Sequence, residues 1–323
     1  MKILVYSFND KLGDGLQKVS FLQKLKKIYP NASITYTTTQ TTTLKKVLYP
    51  LLKDVVDEFI EENFIRSSVF DLLKKNKIFE KKYFDLIIDL QKVVTRTLNL
   101  KRISHNKFFS TSANFFFSDI KNNQNLDFKG IYIERFYYNI LSLITNKKIK
   151  KIEDINIPFY QTPKINDQKK TKIIGIAPGA GNSIREWGFK NYIEVAKELK
   201  ANDYQVYFFL GPYEKKYLKI CKSFDFECPE WNGGKMISNN ILFIMNLAKQ
   251  VDCLLCNDGG TSWIFEFAGV KTFKIFGVTN ERKFARPEYC KTIQVKDYGY
   301  NSLKSFPISL YQEELNKYLR TLW

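Results

Sequence analysis

Residues 251–262 read Val251-Asp252-Cys253-Leu254-Leu255-Cys256-Asn257-Asp258-Gly259-Gly260-Thr261-Ser262, an apolar run closed by an acidic residue and two glycines. Val251 to Cys256 has the length and character of a buried strand, and Trp263 to Ala268 opens a helix behind it. Glycines at such a turn let backbone N–H groups approach an anion closely, and a helix N-terminus adds partial positive charge. The stretch predicts a parallel α/β sheet with a diphosphate site at its carboxyl edge. A strand-to-helix turn without a ligand has the same local character, so the rest of the chain has to decide.

Working outward, strand and helix patterns alternate along the whole chain. Upstream come a strand at Ile3–Phe8, a helix at Leu16–Tyr29 stopped by Pro30, a strand at 33–38, a helix at Leu44–Leu52 and a short strand at 55–60. A helix at Val69–Phe79 and a strongly buried strand at Phe84–Leu90 follow. Residues 108–128 show no clean period, and Ile131–Ile144 returns to a helix. Pro158 to Lys172 is polar, holds two prolines and reads as a linker. A second series then runs through strands at 172–177 and 206–210, helices at 189–200, 213–223 and 239–250, the Cys253 strand, the Trp263 helix, a strand at 272–276 and a last helix at 308–319. Two such runs imply two Rossmann-like, doubly wound parallel-sheet domains with ligand sites at strand carboxyl ends. The expected division is 1–160, 161–307 and a C-terminal helix, 308–323, packing back on the first domain.

Composition narrows the class. No apolar run approaches the roughly 18–20 residues of a membrane span. Met1–Phe8 is too short for a signal-peptide core and reads as a first strand, which predicts a cytoplasmic protein. All five cysteines lie in the second half, and Cys253 and Cys256 have C-x-x-C spacing. On a strand that pair points to opposite faces, with no second pair or nearby histidine, so free buried thiols fit better than zinc. The net charge is +18; residues 1–160 hold 27 Lys/Arg against 16 Asp/Glu, and 161–323 hold 24 against 17. An excess spread over both halves favours anionic partners, although a Lys-, Asn-, Ile- and Phe-rich composition also supplies solvated lysines without a partner. No concentrated basic helix or nucleic-acid motif is present, which argues against nucleic acid.

Four small-residue loops fall at predicted strand ends. Leu12-Gly13-Asp14-Gly15 lacks the third glycine of a dinucleotide fingerprint, which argues against an NAD-dependent oxidoreductase. Asp14 there is placed for a general base or, more simply, for capping the first helix. In Pro178-Gly179-Ala180-Gly181-Asn182-Ser183-Ile184-Arg185, small residues permit close backbone approach and Arg185 offers a guanidinium to a diphosphate; a surface arginine beside Glu186 is the plain alternative. Gly211-Pro212-Tyr213-Glu214 puts Glu214 at a helix start, to meet ribose hydroxyls or cap the helix. The fourth is the Asp258-Gly259-Gly260 turn.

In order and spacing these pieces resemble the ADP-heptose:lipopolysaccharide heptosyltransferases, glycosyltransferase family 9. Lys2-Ile3-Leu4-Val5 with Leu12-Gly13-Asp14 is similar to that family's start. Tyr83 to Gln91 is similar to its Y-D-L-V-I-D-L-Q strand, Pro178-Gly179-Ala180 through Trp187 to P-G-A…K-x-W-P, and Gly211 to Glu214 to G-x-x-E. Asn257 to Gly260 and Gly269 through Thr279 resemble N-D-S-G…G-V-P-T…L-F-G-P-T. The resemblance implies a GT-B fold, two Rossmann-like domains facing across a cleft. It also implies an inverting, metal-independent transfer of a sugar, heptose above all, from a nucleotide-activated donor such as ADP-heptose to a lipopolysaccharide-type acceptor, with no cofactor. By the same resemblance Asp14 is the base. Gly179, Ala180, Gly181, Ser183, Arg185, Glu214, Asp258, Gly259, Gly260 and Thr261 hold the donor.

The departures bear on specificity. Trp263 stands where the family has a histidine, Gly259 where it has a hydroxyl residue, Arg185 for its lysine and Gly188 for its proline. Such a chain is either an enzyme with a changed donor or acceptor or a non-catalytic nucleotide-sugar-binding relative. The only histidine, His105, lies far from the motifs and reads as structural. The basic first domain and the cluster Phe115-Phe116-Phe117, with Phe108 and Phe109, suggest peripheral contact with an anionic inner membrane face, where glycolipid acceptor resides; burial in the core is the competing and more ordinary fate of these rings.

Overall fold

The computed structural model describes residues 1–323 apart from positions 64, 66, 67, 69, 71, 73–76 and 166–170. Two compact units divide the chain, Met1–Asn156 and Ile157–Trp323.

In the first unit the strands are β1 (Lys2–Ser7), β2 (Ser33–Thr38), β3 (Glu58–Ile60), β4 (Tyr83–Asp89) and β5 (Ser104–Ser110), with helices α1 (Leu12–Ile28), α2 (Val94–Lys101) and α3 (Ile133–Thr145). They form one parallel sheet in the order β3-β2-β1-β4-β5. Ile3, Leu4, Val5 and Tyr6 are fully buried, as a central parallel strand covered on both faces requires. The order reverses between β1 and β4, which opens a crevice at their carboxyl ends.

In the second unit the chain runs β6 (Ile173–Ala177), α4 (Phe189–Ala201), β7 (Gln205–Phe208), α5 (Leu218–Ser223), a small antiparallel hairpin β8 (Trp231–Asn232) and β9 (Lys235–Met236), α6 (Ile241–Ala248), β10 (Cys253–Asn257), α7 (Gly260–Phe267), β11 (Lys271–Phe276), α8 (Glu281–Phe284), β12 (Cys290–Gln294) and α9 (Ile308–Leu322). The five longer strands form a parallel sheet in the order β12-β11-β10-β6-β7, and its reversal lies between β6 and β10. All five residues of β10 are buried.

The two expected parallel-sheet α/β units are therefore present, with several local corrections. Helix α1 begins at Leu12, so the Leu12–Gly15 stretch is its first turn and not a loop. Leu44–Leu52 is a run of turns ending in a 3₁₀ turn at Tyr49–Leu51, and Tyr213–Ser223 splits into a 3₁₀ turn, Pro212–Tyr217, followed by α5. Proline lies at the start of both 3₁₀ turns, second in the one (Pro50) and first in the other (Pro212), where it has no N–H to donate to a longer helix. Strand β5, helix α2, the short α8, β12 and the β8–β9 hairpin were not anticipated. Most of the helix expected at Val69–Phe79 lies outside the described residues. The terminal helix α9 buries Tyr311, Leu315 and Leu319 in the second unit's own core, Tyr311 stacking on Trp187 at 4.2 Å. Its apolar face is thus occupied there.

Candidate active site

The carboxyl ends of β6, β7 and β10 carry the loops singled out in the sequence. Asn257 ties two of them together. Its Oδ1 accepts from the Trp187 N–H and the Tyr192 hydroxyl, both at 3.1 Å, and its Nδ2 donates to the Pro178 carbonyl at 2.6 Å. The sequence displayed Asn257 within its motif but assigned it no task; its partners lie 65 to 79 residues away.

Backbone proximity explains the glycines. A Cβ on Gly259 would lie 3.4 Å from Gly179 O and from Ala180 Cα, so the turn after β10 lies directly against the turn after β6. A Cβ on Gly179 would collide with the Glu214 carboxylate, and one on Gly211 would lie 2.5 Å from Glu214 Oε2. Glu214 is thereby seated between two glycines of different loops. Burial, with Glu186 adding to it, raises the proton affinity of that carboxyl above the ordinary glutamate range. Gly181 is open on its surface side, and Asn182 Oδ1 accepts from Ile184 N at 3.1 Å, shaping the 3₁₀ turn Ser183–Arg185.

Helix α7 starts immediately after Gly259, which provides no side-chain cap. The first-turn amides at Gly260 and Thr261 are thus left to an incoming acceptor, while the Ser262 hydroxyl turns back to Gly259 O at 2.8 Å. Arg185 Nη1 lies 3.6 Å from Asp258 Oδ2, the guanidinium 45% exposed and the carboxylate 6%. Asp258 Oδ2 has no hydrogen-bond partner. Arg185 is therefore held near the α7 N-terminus with its outer face toward solvent. Gly188 adopts φ +113, unreachable for the proline found there in the resembling motif.

Behind α7 lies a buried ion pair. Glu266 of α7 and Lys274 of β11 are both fully buried, with Nζ 2.6 Å from Oε1, and the Thr272 hydroxyl donates to the same Oε1 at 3.0 Å. Burial opposes the Lys274 charge, but Glu266 outweighs it and holds the lysine's proton affinity above the usual range. Trp263 is 3% exposed, its ring 4.8 Å from the Lys274 ammonium. The residue replacing the family histidine thus belongs to the helix's seat.

In the first unit Asp14 is exposed in the first turn of α1. Lys11 is the N-cap and no side chain caps the helix, so the capping role expected for Asp14 is not observed. The turn is anchored from below by a cluster the sequence reading missed. Asp10 Oδ1 accepts from Lys18 Nζ at 2.5 Å and from Ser7 at 2.9 Å, and Oδ2 accepts from Tyr36 at 2.8 Å and Thr42 at 2.9 Å. Burial disfavours the Asp10 anion, but Lys18 and these donors prevail and hold its carboxyl below the usual range. Lys18 Nζ also donates to Asp14 O at 3.3 Å. The Asp14–Lys18 spacing of four residues was the only trace of this in the sequence.

Across the same crevice edge, Asp89 ends β4, accepting from Thr97, Ser110 and the Gln91 amide; burial pushes its carboxyl up to about 6 despite them. His105 lies on β5 with its ring 5.5 Å from Phe108, away from these groups. Among the described residues no group of three or more His, Cys, Asp or Glu is arranged to hold a metal ion, and all five cysteines are free thiols.

Residues 74–307 match the model of glycosyltransferase family 9 (heptosyltransferase), a span that contains the second-unit loops and begins after Asp14. Comparison with curated proteins finds no significant match. Among solved structures, the glycosyl transferase family 9 protein of Veillonella parvula DSM 2008 is similar at 17% identity, over 99% of this chain and 96% of that one, with a TM-score of 0.68. E. coli heptosyltransferase WaaC with ADP-2-deoxy-2-fluoro heptose is similar at 12% identity, covering 98% and 99%, with a TM-score of 0.66. E. coli ADP-heptose LPS heptosyltransferase II is similar at 18% identity, 99% of each chain and a TM-score of 0.59. These neighbours share the GT-B fold with the two α/β units described above. With the family model spanning well over half its length, the chain belongs to glycosyltransferase family 9 and is a glycosyltransferase.

Proposed function

We propose that the protein is an inverting, metal-independent transferase that moves heptose from a nucleotide-activated donor to a lipopolysaccharide-type glycan acceptor. The observation that carries this reading is the reversal point of the second sheet. There Gly179, Ala180, Gly259 and the uncapped start of α7 converge beside Arg185, on the strand edge where open α/β sheets bind ligands. A diphosphate suits that arrangement. Amides at Gly259, Gly260 and Thr261 and the Arg185 guanidinium would take up negative charge as the sugar–phosphate bond breaks, a preorganised electrostatic contribution. Gly181 and Ser183 would close over the phosphates, Asp258 would orient Arg185, and Glu214 would accept from ribose hydroxyls.

Asp14 is the proposed base. As the acceptor oxygen bonds to the anomeric carbon, its proton passes to the Asp14 carboxylate and the nucleoside diphosphate leaves from the opposite face, which inverts the configuration. The sugar nucleotide is a substrate, so no cofactor enters the scheme. ADP-heptose is the favoured donor because a structural neighbour is described with ADP-2-deoxy-2-fluoro heptose. The acceptor would be an anionic glycolipid or oligosaccharide, met in the cytoplasm at the inner membrane face. Trp263, withdrawn into the α7 seat, favours a sugar pocket that differs from that of enzymes with a histidine there.

The test is transfer from a panel of nucleotide sugars, paired with calorimetry of nucleoside diphosphates. Asp14→Asn should lower turnover by about 10²–10⁴ while leaving donor affinity nearly unchanged. Arg185→Ala should weaken diphosphate binding about tenfold or more, as loss of a charged hydrogen bond does. Full turnover in Asp14→Asn removes Asp14 from the mechanism; unaltered nucleotide affinity in Arg185→Ala removes the arginine.

A further inference from the structure

The structure separates the phenylalanine cluster that the sequence left as a group. Phe108 and Phe109 on β5 are fully buried and Phe115 is 6% exposed, whereas Phe116 is 75% exposed. What turns Phe116 outward is an unusual backbone. Ala113, Asn114 and Phe115 are three consecutive non-glycine residues with positive φ, at +46, +53 and +65. Each such residue is costly, and a run of three persists only where surrounding contacts impose it.

Those contacts are present. Phe115 is clamped inward by edge-on rings of Phe109 at 6.0 Å and Phe128 at 5.2 Å. Lysine ammonium groups hold the carbonyls of the turn: Lys121 Nζ donates to Phe115 O at 2.8 Å and Phe116 O at 3.2 Å, and Lys101 Nζ to Phe117 O at 2.7 Å. The turn thus displays the Phe116 ring, edge-on to that of half-buried Phe117 at 5.0 Å, and cations hold its backbone. Residues 92–129 carry seven Lys/Arg and only two acidic side chains, of which Asp119 lies 3.6 Å from Lys101.

We propose that this turn is a docking point for an anionic lipid bilayer, with Phe116 entering the headgroup–acyl boundary and the exposed Lys121 beside it adding attraction to anionic headgroups. An aromatic ring supplies apolar area at the interface and basic residues supply attraction to anionic headgroups; together they give reversible peripheral binding that neither gives alone. The turn leaves the carboxyl end of β5, the same sheet edge from which α1 and Asp14 leave β1. In the strand order β1 and β5 are separated only by β4, so their ends lie roughly 10 Å apart at the usual spacing of paired strands. Docking here would bring a lipid-anchored acceptor to the edge that carries Asp14. That consequence rests on the proposed function, whereas the docking itself does not.

The test is co-sedimentation of the full chain with vesicles of 70% phosphatidylcholine and 30% phosphatidylglycerol, beside pure phosphatidylcholine vesicles, at low and high salt. Wild-type protein should bind the anionic vesicles and release them at high salt. Phe116→Ser should lower partition about tenfold, the effect of removing a buried phenyl ring, and Phe116→Leu should retain most of it. Nucleoside diphosphate binding, followed by thermal shift, should be the same in all three proteins; its absence from all three would count against the transferase reading and not against docking. Equal partition of Phe116→Ser and wild type, equal binding to uncharged vesicles, or no vesicle binding at low salt overturns the proposal.

Discussion

Glu230 sits 2% exposed beneath the loop that begins at Gly211, its Oε1 accepting from the Leu210 amide while Oε2 has no hydrogen-bond partner. Burial pushes its carboxyl up to about 8, with Glu214 adding to the effect and the Leu210 amide opposing it. The folded protein therefore keeps this proton over a window in which the unfolded chain, with a carboxyl near 4.5, has released it. The sign follows: the contribution is fully present below the unfolded value and is lost as pH rises to about 8. The slope of that loss is at most about 1.4 kcal/mol per pH unit. Glu230→Gln keeps an acceptor for Leu210 N–H and removes the titration. Urea unfolding should show wild type losing stability relative to this variant between pH 5 and 8, and parallel profiles would refute the assignment. Nothing in the local sequence around Glu230 marks it, because its amide partner lies 20 residues earlier in the chain.

At the scale of elements, α7 shows how a functional helix is seated. Its N-terminus lies against the turn after β6, while Glu266 is locked to Lys274 and its carbonyl accepts from Arg286 Nη1 at 2.9 Å. Removing one member of a buried pair strands the other charge, so Lys274→Met should cost about 3–5 kcal/mol, while Lys274→Met with Glu266→Gln should recover most of that. Chemical denaturation of the single and double variants checks this; a double variant no more stable than the single one would refute the stranded charge as the cause of the loss. Local pattern revealed α7 because a glycine turn followed by apolar residues has few other uses. The same logic failed at Leu44–Leu52. Leu44, Leu48, Leu51 and Leu52 recur at helical spacing and are all buried, yet the chain there makes tight turns. It closes over Gly15, where a Cβ would lie 2.5 Å from Thr43 Oγ1 and 2.7 Å from Leu48 Cδ1. Apolar spacing reports which side chains go inside, and tertiary contact decides the backbone that takes them there.

For the molecule as a whole, the proposed donor contacts fall in the second unit and the proposed base in the first. Nucleoside diphosphate at about a hundredfold excess over its Kd should stabilise the binding unit by about 2.7 kcal/mol. Hydrogen exchange should then slow most in the segments after β6, β7 and β10, within 157–323. Protection concentrated in residues 1–156 would place the nucleotide in the wrong unit.

The sequence by itself determined the parallel-sheet architecture, the alternation of its long elements and the placing of small-residue loops at the ends of β6, β7 and β10. Those properties reside in short runs, where continuous apolar strands, helical periodicity and small residues at strand ends speak through nearest neighbours. Only the tertiary structure decided that Asn257 joins two loops, that Asp10 and Lys18 support the Asp14 turn, that α9 packs in the second unit and that Phe116 is exposed while Phe108, Phe109 and Phe115 are buried. Each of these depends on partners brought together from distant points of the chain or from different elements, and hydrogen bonding and burial between such groups leave no periodic trace in one dimension.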